Sequence, residues 1–193
     1  MSISLEKGQR ISLEKVSPGL EAVLVGLGWD VNRTDSGTDF DIDASVFMLG
    51  SNEKILSEKH FIFYNNSKSP DQAASVEYMG DNRTGAGEGD DEAVIVNLNK
   101  VPSEVEKLVF TVTIHEADAR QQNFGQIQNA YVRLVDVKTK KEVLRYDLAE
   151  DYSIETALIM TELYRKDGTW RMNAIGSGYQ GGLQALLNRY HTA

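Results

Sequence analysis

Three features of the sequence predict an all-β protein built as a two-sheet β-sandwich. Runs of β-branched and aromatic residues recur at roughly 8–12-residue spacing, the rhythm of a sandwich. Glycine, asparagine and aspartate punctuate those runs where strands must turn. Helical periodicity is confined to a few short stretches.

The elements follow in chain order. Glu21 to Trp29 (Glu-Ala-Val-Leu-Val-Gly-Leu-Gly-Trp) reads as a buried strand running into a loop from Asp30 to Thr38. From Asp39 the chain alternates, so that on a strand Asp39, Asp41 and Asp43 share one face and Phe40, Ile42 and Ala44 the other. His60 to Tyr64 is a further strand, stopped by Asn65-Asn66, and Ala93 to Leu98 is another that begins as an acidic loop ends. Leu108–Ile114 and Ala130–Val135 are strand runs, and Lys138 to Lys141 makes a polar turn into Glu142–Tyr146. The segment Ser153 to Tyr164 is read as a strand because Asp167-Gly168 needs a long partner before it and Trp170–Ile175 after it; both central residues of a type I′ turn require positive φ. Pro102 to Glu106 is expected to form one helical turn. Leu183, Leu186, Leu187 and Tyr190, at i, i+3, i+4 and i+7, predict a short C-terminal helix. No repeat or linker divides the chain, so residues 1–193 are expected to form a single domain.

Composition narrows the function. The 193 residues are 41% hydrophobic and 25% charged, an ordinary globular balance. Cysteine is absent, which removes disulfides, thiolate metal sites and a cysteine nucleophile. His60, His115 and His191 share no ligand spacing, which argues against zinc. No basic, apolar leader opens the sequence and no apolar run is long enough to span a bilayer, so a cytoplasmic protein without membrane insertion is expected. The net charge of −9 is concentrated: Asp81–Glu92 carries −4 and the Asp39/Asp41/Asp43 group −3, leaving −2 for the remainder. Such a field disfavours nucleic acid. Two dense acidic patches instead suggest a place for cations.

The stronger patch is the loop Gly80-Asp81-Asn82-Arg83-Thr84-Gly85-Ala86-Gly87-Glu88-Gly89-Asp90-Asp91-Glu92. Calcium takes six to eight oxygen ligands from carboxylates, amide oxygens, backbone carbonyls and water. Here carboxylates stand at both ends, Asn82 and Thr84 add side-chain oxygens, and glycines such as Gly89 let the backbone turn its carbonyls inward. Hard oxygen donors without histidine or cysteine suit Ca²⁺ over zinc or copper, and the loop's length suits it over magnesium. The glycines do not make a phosphate loop, because the Lys-[Ser/Thr] ending is missing. Asp39, Asp41 and Asp43 repel one another unless solvent, protonation or a cation relieves them. They do not start an EF-hand, since Ala44 and Gly50 stand where that loop needs glycine and glutamate. Asp30 is a further ligand candidate beside them. The metal candidates are therefore Asp30, Asp39, Asp41, Asp43, Asp81, Asn82, Thr84, Gly89, Asp90, Asp91 and Glu92. Asp147, Glu150, Asp151 and Glu155 are read as solvated hairpin-end charges, His115 with Glu116 and Asp118 as structural, and Trp170 and Tyr179 as core aromatics.

The loop Gly80–Glu92 resembles the signature GDN-x-TG-x-G-x-GDDE of the TerD family of tellurium-resistance and stress-response proteins. The resemblance extends through Gly26–Asp30, Asp39–Ser45, Phe61–Asn66, Glu162–Arg165 and Gly176–Leu183, in one order along one chain. Ala86 departs from the acidic residue often found there, with Glu88 supplying a carboxylate two residues on. The resemblance implies a calcium-binding β-sandwich with metal ligands in Asp81–Glu92, helped by the Asp39/Asp41/Asp43 strand. It also implies a role in tellurite resistance and, as partners, other stress-response proteins of the same system. The function expected is a Ca²⁺-dependent binding or scaffold module and not an enzyme. The alternatives carried are a metal-dependent hydrolase of a phosphorylated substrate and a passive calcium buffer.

Overall fold

The structure is a computed structural model of the chain and describes residues 2–31, 40–81 and 89–191. These described residues form twelve strands in two six-stranded sheets packed face to face, together with three short helices. The strands are β1 (Ile3–Leu5), β2 (Arg10–Ser12), β3 (Ala22–Val31), β4 (Ile42–Leu49), β5 (Phe61–Ile62) and β6 (Val76–Asp81), followed by β7 (Glu92–Asn97), β8 (Lys107–Ile114), β9 (Ile127–Asp136), β10 (Glu142–Asp147), β11 (Ala157–Lys166) and β12 (Thr169–Tyr179). The helices are α1 (Leu13–Val16), α2 (Ala117–Arg120) and α3 (Gly182–Tyr190). One sheet runs β1-β10-β9-β3-β7-β6 and the other β2-β12-β11-β8-β4-β5. Pairing is antiparallel throughout except between β1 and β10.

The core is the space between the sheets. Alternate residues of β3 (Val23, Val25, Leu27), β7 (Val94, Val96) and β9 (Val132, Leu134) pack against those of β4 (Ala44, Val46, Met48), β8 (Leu108, Phe110, Val112) and β11 (Leu158, Met160). The opposite parity of the second sheet is covered as well. Phe47, Leu49, Val109, Ala157 and Ile159 form a second apolar cluster with Leu186 and Tyr190 of α3. Strands β4, β8 and β11 are therefore buried on both faces, which is why they read as near-continuous apolar runs.

Short edges limit the exposed backbone: β1 and β2 have three residues each and β5 two. Strand β6 is flanked by the Ser67–Ser69 segment, with Tyr78 N donating to Ser67 O at 2.8 Å and Ser69 N to Val76 O at 2.9 Å. Asp71 pins this cover, its carboxylate accepting from the Ser69 and Ser75 hydroxyls and from Ser75 N.

The β11–β12 hairpin turns at Asp167-Gly168 with φ of 53° and 73°, as the sequence predicts, and α3 forms with Leu186 and Tyr190 inward. Several expectations change. Pro102–Glu106 forms a hydrogen-bonded turn, Val105 N to Pro102 O at 3.1 Å, and no helix. The strand expected at His60–Tyr64 is only Phe61–Ile62, because Glu58–His60 is a 3₁₀ turn and Phe63 N and Asn66 O close a tight turn after it. Strand β11 starts at Ala157, the preceding residues being drawn into a turn by Glu155 N donating to Tyr152 O. The alternation from Asp39 holds where it is described: Ile42 and Ala44 are in the core, Asp41 is exposed just before β4, and Asp43 is half-buried on the other face.

Candidate functional site

Two connections leave the same end of the sandwich. Strand β3 ends at Val31 and β4 begins at Ile42; β6 ends at Asp81, which pairs in register with Glu92 at the start of β7. Between these strand ends lies an open groove of about 860 Å³, lined by Trp29, Phe40, Asp41, Ile42, Asp43, Tyr64, Ser67, Tyr78, Met79, Gly80, Asp91, Glu92 and His115. Asp41 and Asp43 stand at the start of β4 in the second sheet and Asp91 and Glu92 at the start of β7 in the first, so residues about fifty positions apart in sequence face one space. Among the described residues, no lysine or arginine lines it.

The segment Gly89–Glu92 is divided by the sheet it enters. Gly89 is exposed and leads into Asp90. Asp90 turns to the outer face of the first sheet and away from the groove: Arg133 Nε donates to Oδ1 at 2.8 Å, Arg133 Nη2 to Oδ2 at 3.0 Å, and Tyr131 Oη to Oδ1 at 3.0 Å. The Asp90 bond holds the Arg133 guanidinium above its ordinary pKa. Burial, reinforced by the neighbouring Asp90 charge, pushes the Tyr131 phenol up to about 12. Asp91 is tied on the groove side, its N–H donating to Leu27 O at 2.9 Å and its Oδ2 accepting from Trp29 N at 2.8 Å. Glu92, opposite Leu27 in register, is 4% exposed.

The structure thus brings four sequence-predicted ligands, Asp41, Asp43, Asp91 and Glu92, to one groove. It holds Asp90 in an ion pair on the far face and Asp30 against the Asn129 amide, Nδ2 to Oδ2 at 2.7 Å. Asp39, Asn82 and Thr84 lie outside the described residues, and Asp81 is placed here by its backbone at the end of β6. Among the described residues no group of three or more carboxylates or imidazoles is already gathered at metal-coordinating distance. The donor chemistry still fits a hard cation: the acidic lining residues offer oxygen only, and one imidazole, His115, stands among them. His115 is half exposed, with Nε2 3.8 Å from Glu116 Oε1.

Sequence reasoning did not identify His115, Tyr64, Tyr78 and Met79 as groove residues, because three come from other strand ends and Tyr64 from a turn. Its Trp-Asp and Asp-Asp-Glu motifs do mark the groove wall formed by the first sheet, through Trp29, Asp91 and Glu92. Among the described residues no helix is long and apolar enough to cross a membrane.

Comparison with known proteins agrees with the resemblance in the motifs. The chain matches the TerD domain over residues 1–190. It is 56% identical over 190 residues to general stress protein 16U of Bacillus subtilis (strain 168), covering 98% of this chain and 97% of that one. It is 54% identical over 190 residues to the tellurium resistance protein TerD of Serratia marcescens, with the same two coverages. Among solved structures, a Streptomyces coelicolor homologue of a telluride resistance protein superposes with a TM-score of 0.67 over 90% of this chain and 100% of the other, at 18% identity. That likeness supports the sandwich fold. On the family match and these relatives together, the chain belongs to the TerD family.

Proposed function

We propose that this TerD-family chain is a calcium-binding stress-response protein of the tellurite-resistance type that acts as a Ca²⁺-dependent binding module. The observation that carries the reading is the convergence of Asp41, Asp43, Asp91 and Glu92, from both sheets, on one groove. Carboxylates from two strand ends that face one space offer a divalent cation several hard oxygen donors at once. A bound calcium ion supplies charge neutralisation there.

The chain's own residues supply the rest. The bond from Trp29 N orients the Asp91 carboxylate, and the β3–β7 register places Glu92 beside it. Tyr64 and Met79 stand exposed on the rim and offer a partner protein apolar contact beside the ion, the arrangement expected of a switchable binding surface. The name of the Serratia relative motivates tellurite resistance as the setting. With no cysteine in the sequence, thiolate capture of the oxyanion is not this chain's chemistry, so resistance would work through binding. A phosphoryl-transfer hydrolase would need cationic groups to hold its substrate, and among the described residues no lysine or arginine lines the groove.

The reading is tested by melting the protein with calcium and with chelator. At a hundredfold excess over Kd, a ligand that binds only the native state adds about 2.7 kcal/mol, which moves the midpoint of a domain this size by several degrees. Superimposable melts would reject it.

A further inference from the structure

The proposed calcium groove contains only one end of the Asp90-Asp91-Glu92 run, and the other end is held by an arrangement of its own. The Asp90 side chain is 10% exposed and lies flat against β3 on the outer face of the sheet. It can lie there because position 26 is glycine: a Cβ at Gly26 would fall 2.1 Å from Asp90 Oδ2. Gly28 does the same for the Tyr131 ring, whose nearest carbon would be 2.3 Å from a Cβ there. The partners are themselves braced, Arg133 Nη1 by Glu142 Oε2 at 3.4 Å and the Tyr131 ring by the Arg145 guanidinium 3.9 Å above its centroid. Three strands, β3, β9 and β10, therefore combine to hold one carboxylate.

We propose that Asp90 and Arg133 form a positioning clasp, which sets the direction in which Asp91 and Glu92 enter the groove and contributes no ligand itself. The proposal rests on the calcium reading and deepens it. A bidentate guanidinium–carboxylate pair fixes both the position and the plane of the carboxylate. Both Asp90 oxygens are engaged by Arg133, on the face of the sheet away from the groove, so Asp90 cannot reach an ion there without releasing the arginine. The next residue depends on that mooring. Asp91 N meets Leu27 O and Asp91 Oδ2 meets Trp29 N only when the chain crosses the end of β3 at this angle.

The clasp and simple electrostatics predict opposite signs. Arg133 is a positive charge near an acidic site, so Coulomb attraction alone says that Arg133→Gln tightens calcium binding. The clasp says that it loosens binding by about tenfold, the usual effect of removing a group that orients a ligand. Calcium affinity is measured by calorimetry for the wild type, Arg133→Gln, Asp90→Asn and the double variant, with Arg133→Lys to keep the charge but not the fork. Hydrogen exchange at the Asp91 and Trp29 amides is followed in the metal-free proteins, with the β11–β12 hairpin amides reporting that the sandwich is intact.

The expected result is about a tenfold loss for each single variant, no further loss in the double variant, an intermediate loss for Arg133→Lys, and faster exchange at Asp91 and Trp29 alone. Unchanged or tighter binding by Arg133→Gln overturns the proposal. So does a further loss when Asp90→Asn is added to Arg133→Gln, since that would make Asp90 a ligand. If the wild type binds no calcium, the calcium reading fails by itself. The clasp is then judged by metal-free exchange, where unchanged protection at Asp91 and Trp29 overturns it and faster exchange upholds the mooring.

Discussion

Gly26→Ala should destabilise this protein, although the same change in a strand interior ordinarily helps. Alanine restricts the unfolded chain and is favoured over glycine within strands, so a site with ordinary backbone angles gains roughly 0.4–1 kcal/mol. Gly26 does not have a positive φ among the described glycines, and the backbone itself would accept alanine. Its surroundings would not. The new Cβ would sit 2.1, 2.3 and 2.5 Å from Oδ2, Cγ and Oδ1 of Asp90, far inside van der Waals contact. The carboxylate can move only by giving up its bonds to Arg133 at 2.8 and 3.0 Å and to Tyr131 at 3.0 Å. A partly buried charge-assisted pair of this kind contributes about 1.5–3 kcal/mol. After the alanine gain is set against it, the net loss is about 0.5–2.6 kcal/mol, or a fall of about 1–10 °C in Tm. Urea unfolding of metal-free protein measures it. The double variant Gly26→Ala/Asp90→Ala should recover the alanine gain relative to Asp90→Ala alone, because the clash has gone. A Gly26→Ala protein as stable as the wild type, or more so, would refute the reasoning.

Two further outcomes follow from the same geometry. Burial alone would raise the Asp71 pKa, but the Ser69 and Ser75 hydrogen bonds outweigh it and hold the carboxyl below its ordinary value. Its contribution is therefore complete above the unfolded pKa near 3.9 and is lost as pH falls through the folded value. Asp71→Asn should cost about 1–2 kcal/mol at pH 7 in denaturant melts, with the difference from wild type shrinking below about pH 4; a difference that persists unchanged at low pH would show that the charge is not involved. Phosphate esters, nucleotides and peptides incubated with the protein and calcium, magnesium or manganese should turn over only at the background rate. Metal-dependent turnover that disappears in Asp91→Ala would establish the hydrolase reading instead.

What could be read from the sequence was mostly local. The β-branched run in Ala93–Leu98 and the Asp167-Gly168 pair specify a strand and a turn because β propensity and φ are properties of neighbouring residues. The continuous apolar character of Leu108–Ile114 was legible as strand, but not its cause, which is α3 lying on the outer face some seventy residues later. Pro102–Glu106 misled because proline suits the first turn of a helix, whereas here the segment only closes a turn before β8. In the candidate site, composition marked an acidic segment but could not say which side of a sheet each acid would face. Asp90 and Asp91 precede β7, with a bend at Asp91, so the alternation of the strand does not govern them and their long-range partners decide which way each turns. Their partners, Arg133 and Trp29, lie 43 and 62 residues away and no local pattern announces them.

The central claim is that the groove between the sheets coordinates calcium through particular carboxylates. It is tested most directly by calorimetric titration of calcium into the wild type, Asp91→Ala and Glu150→Ala. Asp91 lines the groove, whereas Glu150 is an exposed acid paired with Lys7 at 2.6 Å. Both variants lose one negative charge, so non-specific attraction treats them alike, while coordination does not. Saturable binding is expected for the wild type, with wild-type affinity in Glu150→Ala and a loss of at least about tenfold in Asp91→Ala. Equal affinities in the two variants, or no saturable heat with the wild type, would contradict it.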